Sequence, residues 1–297
     1  MKTKVTLHLT SCLIFFGIIT LHAQQLEVID APDGKHGLKV DDGRILIPAK
    51  YDDYHMFQEN IAAVMLNNKW GYVDINTGNE IIPPKYQFAG DFNDGTARVA
   101  LNGKWGLVNK SGKEIVPLKY DHADNFHDGF ATVQLNDKWG FVDAAGKEIV
   151  APKYDDAGFF KDGLIRVLQN GKQVFVDQTG KEIFVSKYEA TGDFSGGFAM
   201  VSSNDKYGFI DKTGKEITAI NYDFASDFSE GLAVVGMNNK YGFIDQTGKE
   251  VIPLQFESIY PYSAEGEEKK YGFDNGRARV WLNGRNFYID KSGKEVL

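Results

Sequence analysis

Thr96 to Gly129 reads TARVALNGKWGLVNKSGKEIVPLKYDHADNFHDG, and these 34 residues decide the fold. Ala97 to Leu101 alternates small or apolar with more polar positions, as a strand should. Asn102-Gly103 follows, a two-residue hairpin signal, because a type I′ turn needs positive φ at both central residues. Trp105 to Val108 reads as the second strand. Asn109-Lys110-Ser111-Gly112 makes another turn, in which Asn bonds its own backbone and Gly takes the left-handed site. Glu114 to Pro117 is a third strand, which Pro117 confines to a sheet edge or an end. Lys119-Tyr120-Asp121 is expected to leave the sheet, and Asp124 to Gly129 to form a tight connector. One stretch therefore predicts one three-stranded meander.

The same pattern returns through the chain. Trp70-Gly71, Trp105-Gly106, Trp139-Gly140, Tyr207-Gly208 and Tyr241-Gly242 follow a spacing of about 34 residues, with His36-Gly37 and Gln173-Val174 on the same grid. Asn286-Phe287 comes 45 residues after Tyr241. The connector Phe recurs at Phe57, Phe92, Phe160, Phe194, Phe228 and Phe273. A fixed period in this range signals repeat architecture. The reading is an all-β domain over residues 24–297, a tandem array of about eight three-stranded meanders: 26–60, 61–95, 96–129, 130–163, 164–197, 198–231, 232–276 and 277–297. An open, twisted, solenoid-like array is favoured over a closed eight-bladed propeller, because propeller blades normally have four strands. The Trp or Tyr of each pair is expected to be buried between meanders, and the Gly to leave room for that ring or for a close backbone.

Lys69 to Asp74 (Lys-Trp-Gly-Tyr-Val-Asp) and Gly112 to Pro117 (Gly-Lys-Glu-Ile-Val-Pro) resemble the WG-repeat family, and the resemblance covers residues 26–297. It implies a β-rich, exported bacterial repeat protein. The family shares no catalytic residues, so none carries over.

The N-terminus differs in kind. Lys2 and Lys4 precede an apolar run from Val5 to Leu21, and Leu21-His22-Ala23 ends in a small residue. This reads as a secretory signal peptide over residues 1–23, placing the protein in the periplasm, at the cell surface or outside the cell. No later segment reaches the ~20 apolar residues of a membrane span, so none is expected in the mature chain. Removing Lys2 and Lys4 leaves 31 basic against 41 acidic side chains, a net charge of −10. That balance disfavours nucleic acid, whose phosphates demand basic stripes. The single Cys12 leaves with the signal peptide, so no disulfide is expected.

Candidate chemistry is sparse. His36, His55, His122 and His127 show no metal-ligand spacing, although His122 and His127 flank one connector. Asp91 to Gly95 lacks the terminal Glu of a calcium loop and reads as a turn. Asp52-Asp53 and Asp155-Asp156 are adjacent acids, whereas glycoside hydrolysis needs two facing across a cleft. No catalytic residue, cofactor or metal is expected, and the reading is of a non-enzyme. The strongest departure is the insertion Glu257 to Tyr271, which lengthens one connector by 11 residues. Long loops in repeat proteins tend to lie on the functional face, so Tyr260, Tyr262 and Tyr271 are the candidate ligand contacts. The leading function is a surface for a protein or peptide partner in the cell envelope. Glycan binding through exposed aromatics is the alternative, and a hydrolase the third.

Overall fold

The computed structural model describes residues 26–40, 42–55, 58–262 and 270–296. The expected signal peptide, Phe57 and the stretch 263–269 of the insertion lie outside the described residues. None of the described residues is helical. They form eight small antiparallel sheets in chain order, each with its own two edges and none closed into a barrel. The tandem all-β array expected from the sequence is what the chain forms.

The third sheet shows how its residues dictate it. Thr96–Leu101 pairs with Lys104–Asn109 in unbroken register. Asn102 and Gly103 between them have φ of 52° and 72°, the two left-handed residues of a type I′ turn. The outer strand, Glu114–Tyr120, is longer than expected. It passes through Pro117 because it is an edge, where the missing N–H costs no ladder bond. Lys119-Tyr120 therefore stays in the sheet, with Tyr120 paired to Trp105. A further strand was also missed. Phe88–Ala89, read as connector, pairs with Thr96–Leu101 on its free side. Two residues are too short to show a period. Six of the eight sheets have four strands; the first lacks the short strand, whereas the sixth keeps it as Ala190–Thr191 and lacks the outer one.

Register explains the Gly after each aromatic. Trp105 faces Tyr120 while Leu107 faces Val116, so the outer strand bulges opposite Gly106. A Cβ at Gly106 would lie 2.4 Å from the Val116 carbonyl oxygen; at Gly71 and Gly140 the matching distances are 2.4 and 2.3 Å. Space is kept for a backbone carbonyl, not for the ring. The fifth sheet tests this internally: Val174 replaces the Gly, pairs squarely with Val185, and the outer strand stops there as Glu182–Val185.

The chain divides into two compact units after Lys153. In the first unit, apolar clusters lie between successive sheets, as with Leu107, Val116, Tyr120, Ala123, Ala131 and Val133 between the third and fourth. In the second unit Phe243, Ile252, Phe256, Phe273, Val280 and Ile289 do the same between the seventh and eighth. Within each unit the clusters thus join consecutive sheets, as in a repeat protein.

Candidate functional site

The motif aromatics come first, because their exposure separates scaffold from ligand contact. Trp70, Trp105, Trp139, Tyr207 and Tyr241 are half-buried, not enclosed as expected. Trp105 sits two residues after its type I′ turn, where the interface between sheets runs out. The enclosed ring comes two residues later: Tyr72, Phe141, Phe175, Phe209 and Phe243 are at most 1 % exposed. In the first unit the half-buried rings form a chain, Phe88 to Trp105 at 4.9 Å, Trp105 to His122 at 5.9 Å and His122 to Trp139 at 5.7 Å. His122 also meets Asp124 Oδ1 at 3.1 Å. His127 belongs to a turn bridge with Phe130. Among the described residues no three His, Cys, Asp or Glu stand close enough to share a metal ion.

The repeated acids are engaged in construction. Asp121 accepts the Asn136 N–H of the next hairpin turn at 2.8 Å and Lys104 Nζ at 2.6 Å. The Lys104 ammonium, then the Asn136 amide, holds its carboxyl below the usual range. Asp52 likewise takes the Asn67 amide and Lys35, while Asp53 accepts the N–H of Tyr54. Asp155 takes the Asn170 amide, and Asp156 that of Ala157. Asp94-Gly95 is a positive-φ turn closed by Asn93 and Thr96. A second set joins neighbouring outer strands. Tyr120 Oη donates to Glu148 Oε1 at 2.5 Å, and Lys119 Nζ reaches the same oxygen at 2.7 Å. Tyr51 with Lys50 grips Glu80 in the same way, and Tyr188 with Lys187 grips Glu216. Tyr86 breaks the series: its hydroxyl is buried with no hydrogen-bond partner.

Convergent polar and aromatic groups remain where the period breaks. Ser258–Ile259 starts the eighth sheet against Arg277–Leu282. Beyond it, Tyr262 and Lys270 exchange two backbone hydrogen bonds of 2.8 Å that close the base of the insertion. Phe273, fully buried, then takes the connector-Phe place. Ser229 Oγ donates to the Phe273 carbonyl at 2.7 Å, which commits its one proton, so Tyr262 Oη donates to Ser229 Oγ at 2.8 Å. Tyr271 lies edge-on to Phe224 at 5.3 Å, and Phe224 edge-on to Tyr241 at 5.7 Å.

These contacts frame two adjoining hollows. One, of about 500 Å³, is lined by Met200, Phe224, Phe228, Ser229, Tyr262, Lys270 and Tyr271, among others. The second, of about 190 Å³, is lined by Tyr260, Pro261, Tyr262, Gly272, Asp274, Arg277, Arg279 and Tyr288. Tyr262 belongs to both, and the three tyrosines selected from the sequence all line one or the other. The sequence reading missed Arg277, Arg279 and Tyr288. A signal for them was present: three of the six Arg in the chain fall between Arg277 and Arg285. A third hollow, of about 300 Å³, opens beside Gln173 and Asp156 in the fifth sheet. There Gln173 stands where other repeats have Trp or Tyr, and its Oε1 is buried without a partner.

Comparison with known proteins follows the same periodicity. The sequence matches the family described as WG containing repeat over seven tandem segments, residues 41–70, 70–105, 105–139, 139–172, 175–207, 207–241 and 241–266. No curated protein matches. Among solved structures, a eukaryotic initiation factor is similar at 9 % identity, over 92 % of this chain and 84 % of that one, with a TM-score of 0.41. Hsv2p of Kluyveromyces lactis is similar at 12 % identity over 65 % and 73 %, with a TM-score of 0.33. PorZ, a surface component of the type-IX secretion system of Porphyromonas gingivalis, is similar at 10 % identity over 93 % and 44 %, with a TM-score of 0.28.

Proposed function

We propose that this chain, which belongs to the WG containing repeat family, is an exported, non-enzymatic scaffold that binds a peptide segment of a protein partner. The observation that carries the reading is the pair of hollows sharing Tyr262. Elsewhere Asp52, Asp121 and Asp155 are engaged by turns, and Tyr51, Tyr120 and Tyr188 by a glutamate of the next repeat. At the insertion, aromatic faces, a hydroxyl pair and Lys270 surround space of a size that suits side chains of an extended peptide. Export rests on the composition of residues 1–23: a basic start, an apolar run and a small residue before Gln24.

A peptide library panned against the purified protein tests the binding reading. Selected peptides should lose about tenfold or more in affinity with Tyr262→Ala or Tyr271→Ala, the usual cost of truncating an aromatic anchor. Full affinity in both variants would remove the hollows as the binding place. Export is tested separately, by fractionating cells that express the whole chain and sequencing the mature N-terminus, expected at Gln24.

A second reading draws on the half-buried rings Phe88, Trp105, His122 and Trp139. Aligned aromatics can stack sugar rings, and binding to a glycan array that is lost on Trp105→Ala or Trp139→Ala but kept on Tyr262→Ala would favour it. Peptide binding is preferred because those rings lie against one another along a rim, whereas the insertion encloses volume.

A further inference from the structure

We infer that the hollow on the eighth sheet selects an acidic peptide, taking one carboxylate side chain between Arg277 and Arg279. The inference rests on the peptide-binding reading above and names the class of peptide.

Arg277 and Arg279 alternate along one strand and so share a face of the sheet. Arg279 stands opposite Tyr288 on the neighbouring strand. In preceding sheets the residue at the Tyr288 position is enclosed, as with Phe209 and Phe243, whereas Tyr288 is 39 % exposed. This face is uncovered, and it carries the two arginines.

Register comparison shows what is unusual about them. Arg98 and Arg166 hold the same place in the third and fifth sheets. Each gives Nη1 to a carbonyl of the following sheet, Ala123 O at 3.4 Å and Thr191 O at 2.9 Å, with an aspartate at 3.8 Å. Arg279 has neither partner. It bonds Asn286 Oδ1 through Nε and Nη2, and its guanidinium lies 4.8 Å from the Tyr260 ring centre. The Arg277 guanidinium lies 5.1 Å from the Tyr288 ring centre. Neither forms a salt bridge among the described residues; Asp274 lines the hollow and exchanges backbone hydrogen bonds with Arg277, but its carboxylate makes no ion pair with either guanidinium. Nearby Arg285, by contrast, already clasps Glu295 with two bonds of 2.8 and 2.7 Å.

Two guanidiniums braced on aromatic rings, with N–H donors left over, form the fork that recognises a planar carboxylate. In a chain of net charge −8 a pair of arginines with no carboxylate bound among the described residues is a point of attraction for an acidic segment. The ligand chemistry follows from what the rings are already doing. Tyr260 and Tyr288 each hold a guanidinium against one face, so the charged N–H groups beside the rings set the ligand chemistry. The adjoining hollow at Tyr262, Phe228 and Tyr271 then receives an apolar neighbour of the acidic residue.

The test is fluorescence anisotropy of labelled hexaglutamate with the purified protein at low ionic strength, beside labelled hexaglutamine. Hexaglutamate should bind and weaken with added salt, and hexaglutamine should not bind. Arg277→Gln and Arg279→Gln should each weaken hexaglutamate about tenfold, with Arg277→Lys in between and near-ultraviolet circular dichroism unchanged. Equal binding of hexaglutamine, or unaltered hexaglutamate affinity in both glutamine variants, overturns the proposal. So does arginine-dependent binding of oligogalacturonate without binding of hexaglutamate, which would assign the face to an acidic glycan. Self-association abolished by Arg279→Gln, with no hexaglutamate binding, would assign it to a second copy. Library peptides that need Tyr262 but not Arg277 or Arg279 would leave the general peptide reading standing and sink this one.

Discussion

Gly106 faces the Val116 carbonyl across a bulge, and a methyl group there would sit 2.4 Å from its oxygen. Backbone cannot yield as a flexible side chain can, so Gly106→Ala should cost about 1–3 kcal/mol, read from urea unfolding. A loss below about 0.5 kcal/mol, the range of ordinary surface changes, would show that the bulge does not depend on this residue. The hydroxyls of Tyr120 and Tyr86 make a sharper pair. Tyr120 Oη donates to Glu148, whereas Tyr86 Oη is buried and unpaired. Tyr120→Phe should therefore lose about 1–2 kcal/mol, while Tyr86→Phe should be neutral or stabilising, because it removes a buried polar group that makes no bond. Equal losses in the two variants would refute the assignment. The aromatic of the Trp-Gly pair contributes differently from its neighbours: the enclosed side chain lies two residues later, Leu107 here and a ring at Tyr72 and Phe141, and Trp105 covers the rim. Native tryptophan emission should accordingly fall between the buried and the solvated limits, with acrylamide quenching partly retained.

At the level of the strand, the outer edges are joined by a recurring Lys-Tyr to Glu contact. The Lys119 ammonium, then the Tyr120 hydroxyl, holds the Glu148 carboxyl below its ordinary value, and Lys50 with Tyr51 does the same to Glu80. A depressed folded-state pKa means that this stabilisation is present above the unfolded value, about 4.3 for Glu, and is lost as pH falls through the folded value. Unfolding free energy should thus decline in acid below about pH 4, and Glu148→Gln should flatten part of that slope while lowering stability at neutral pH. An unchanged acid slope would remove the contact from the account. The tyrosines titrate with the opposite sign. Burial, then the Glu80 contact, pushes Tyr51 up to about 12. Its neutral form is thus favoured in the folded state, and that contribution is lost as pH rises through the folded value. Absorbance at the tyrosinate band should show a group of residues ionising well above the ordinary range near 10 until the protein unfolds.

Taken as a whole molecule, the chain keeps its apolar clusters between consecutive sheets within each of its two compact units. Nearest-neighbour stabilisation of this kind predicts that deleting one period, residues 105–138, lowers the urea midpoint and the m-value without abolishing cooperative unfolding. Complete loss of structure would instead mean that distant sheets are obligatory to one another. Function is concentrated in what the array does not repeat. The hollow at Tyr262 exists because the insertion after Ile259 is closed by Tyr262 and Lys270 and seated by Ser229. The arginines beside it are available because the eighth sheet presents Tyr288 and its neighbours to solvent.

Sequence by itself determined the strands and turns that carry local chemistry. Asn102-Gly103 names its turn because few residues accept positive φ. Ala97 to Leu101 names its strand by alternation, and the spacing of Trp-Gly pairs fixes the tandem order. It also pointed to Tyr260, Tyr262 and Tyr271, because an insertion is visible against a period. Contacts between segments were left to the tertiary structure. Phe88–Ala89 is too short to carry a pattern, so only pairing with Thr96–Leu101 reveals it as a strand. The Gly after each aromatic serves a carbonyl some ten residues later, and Tyr120 finds Glu148 one sheet on. Arg98 and Arg279 are the same residue type at the same register, and nothing in the letters distinguishes them. One is consumed by the next sheet and the other faces solvent, a difference created solely by what packs beside each strand.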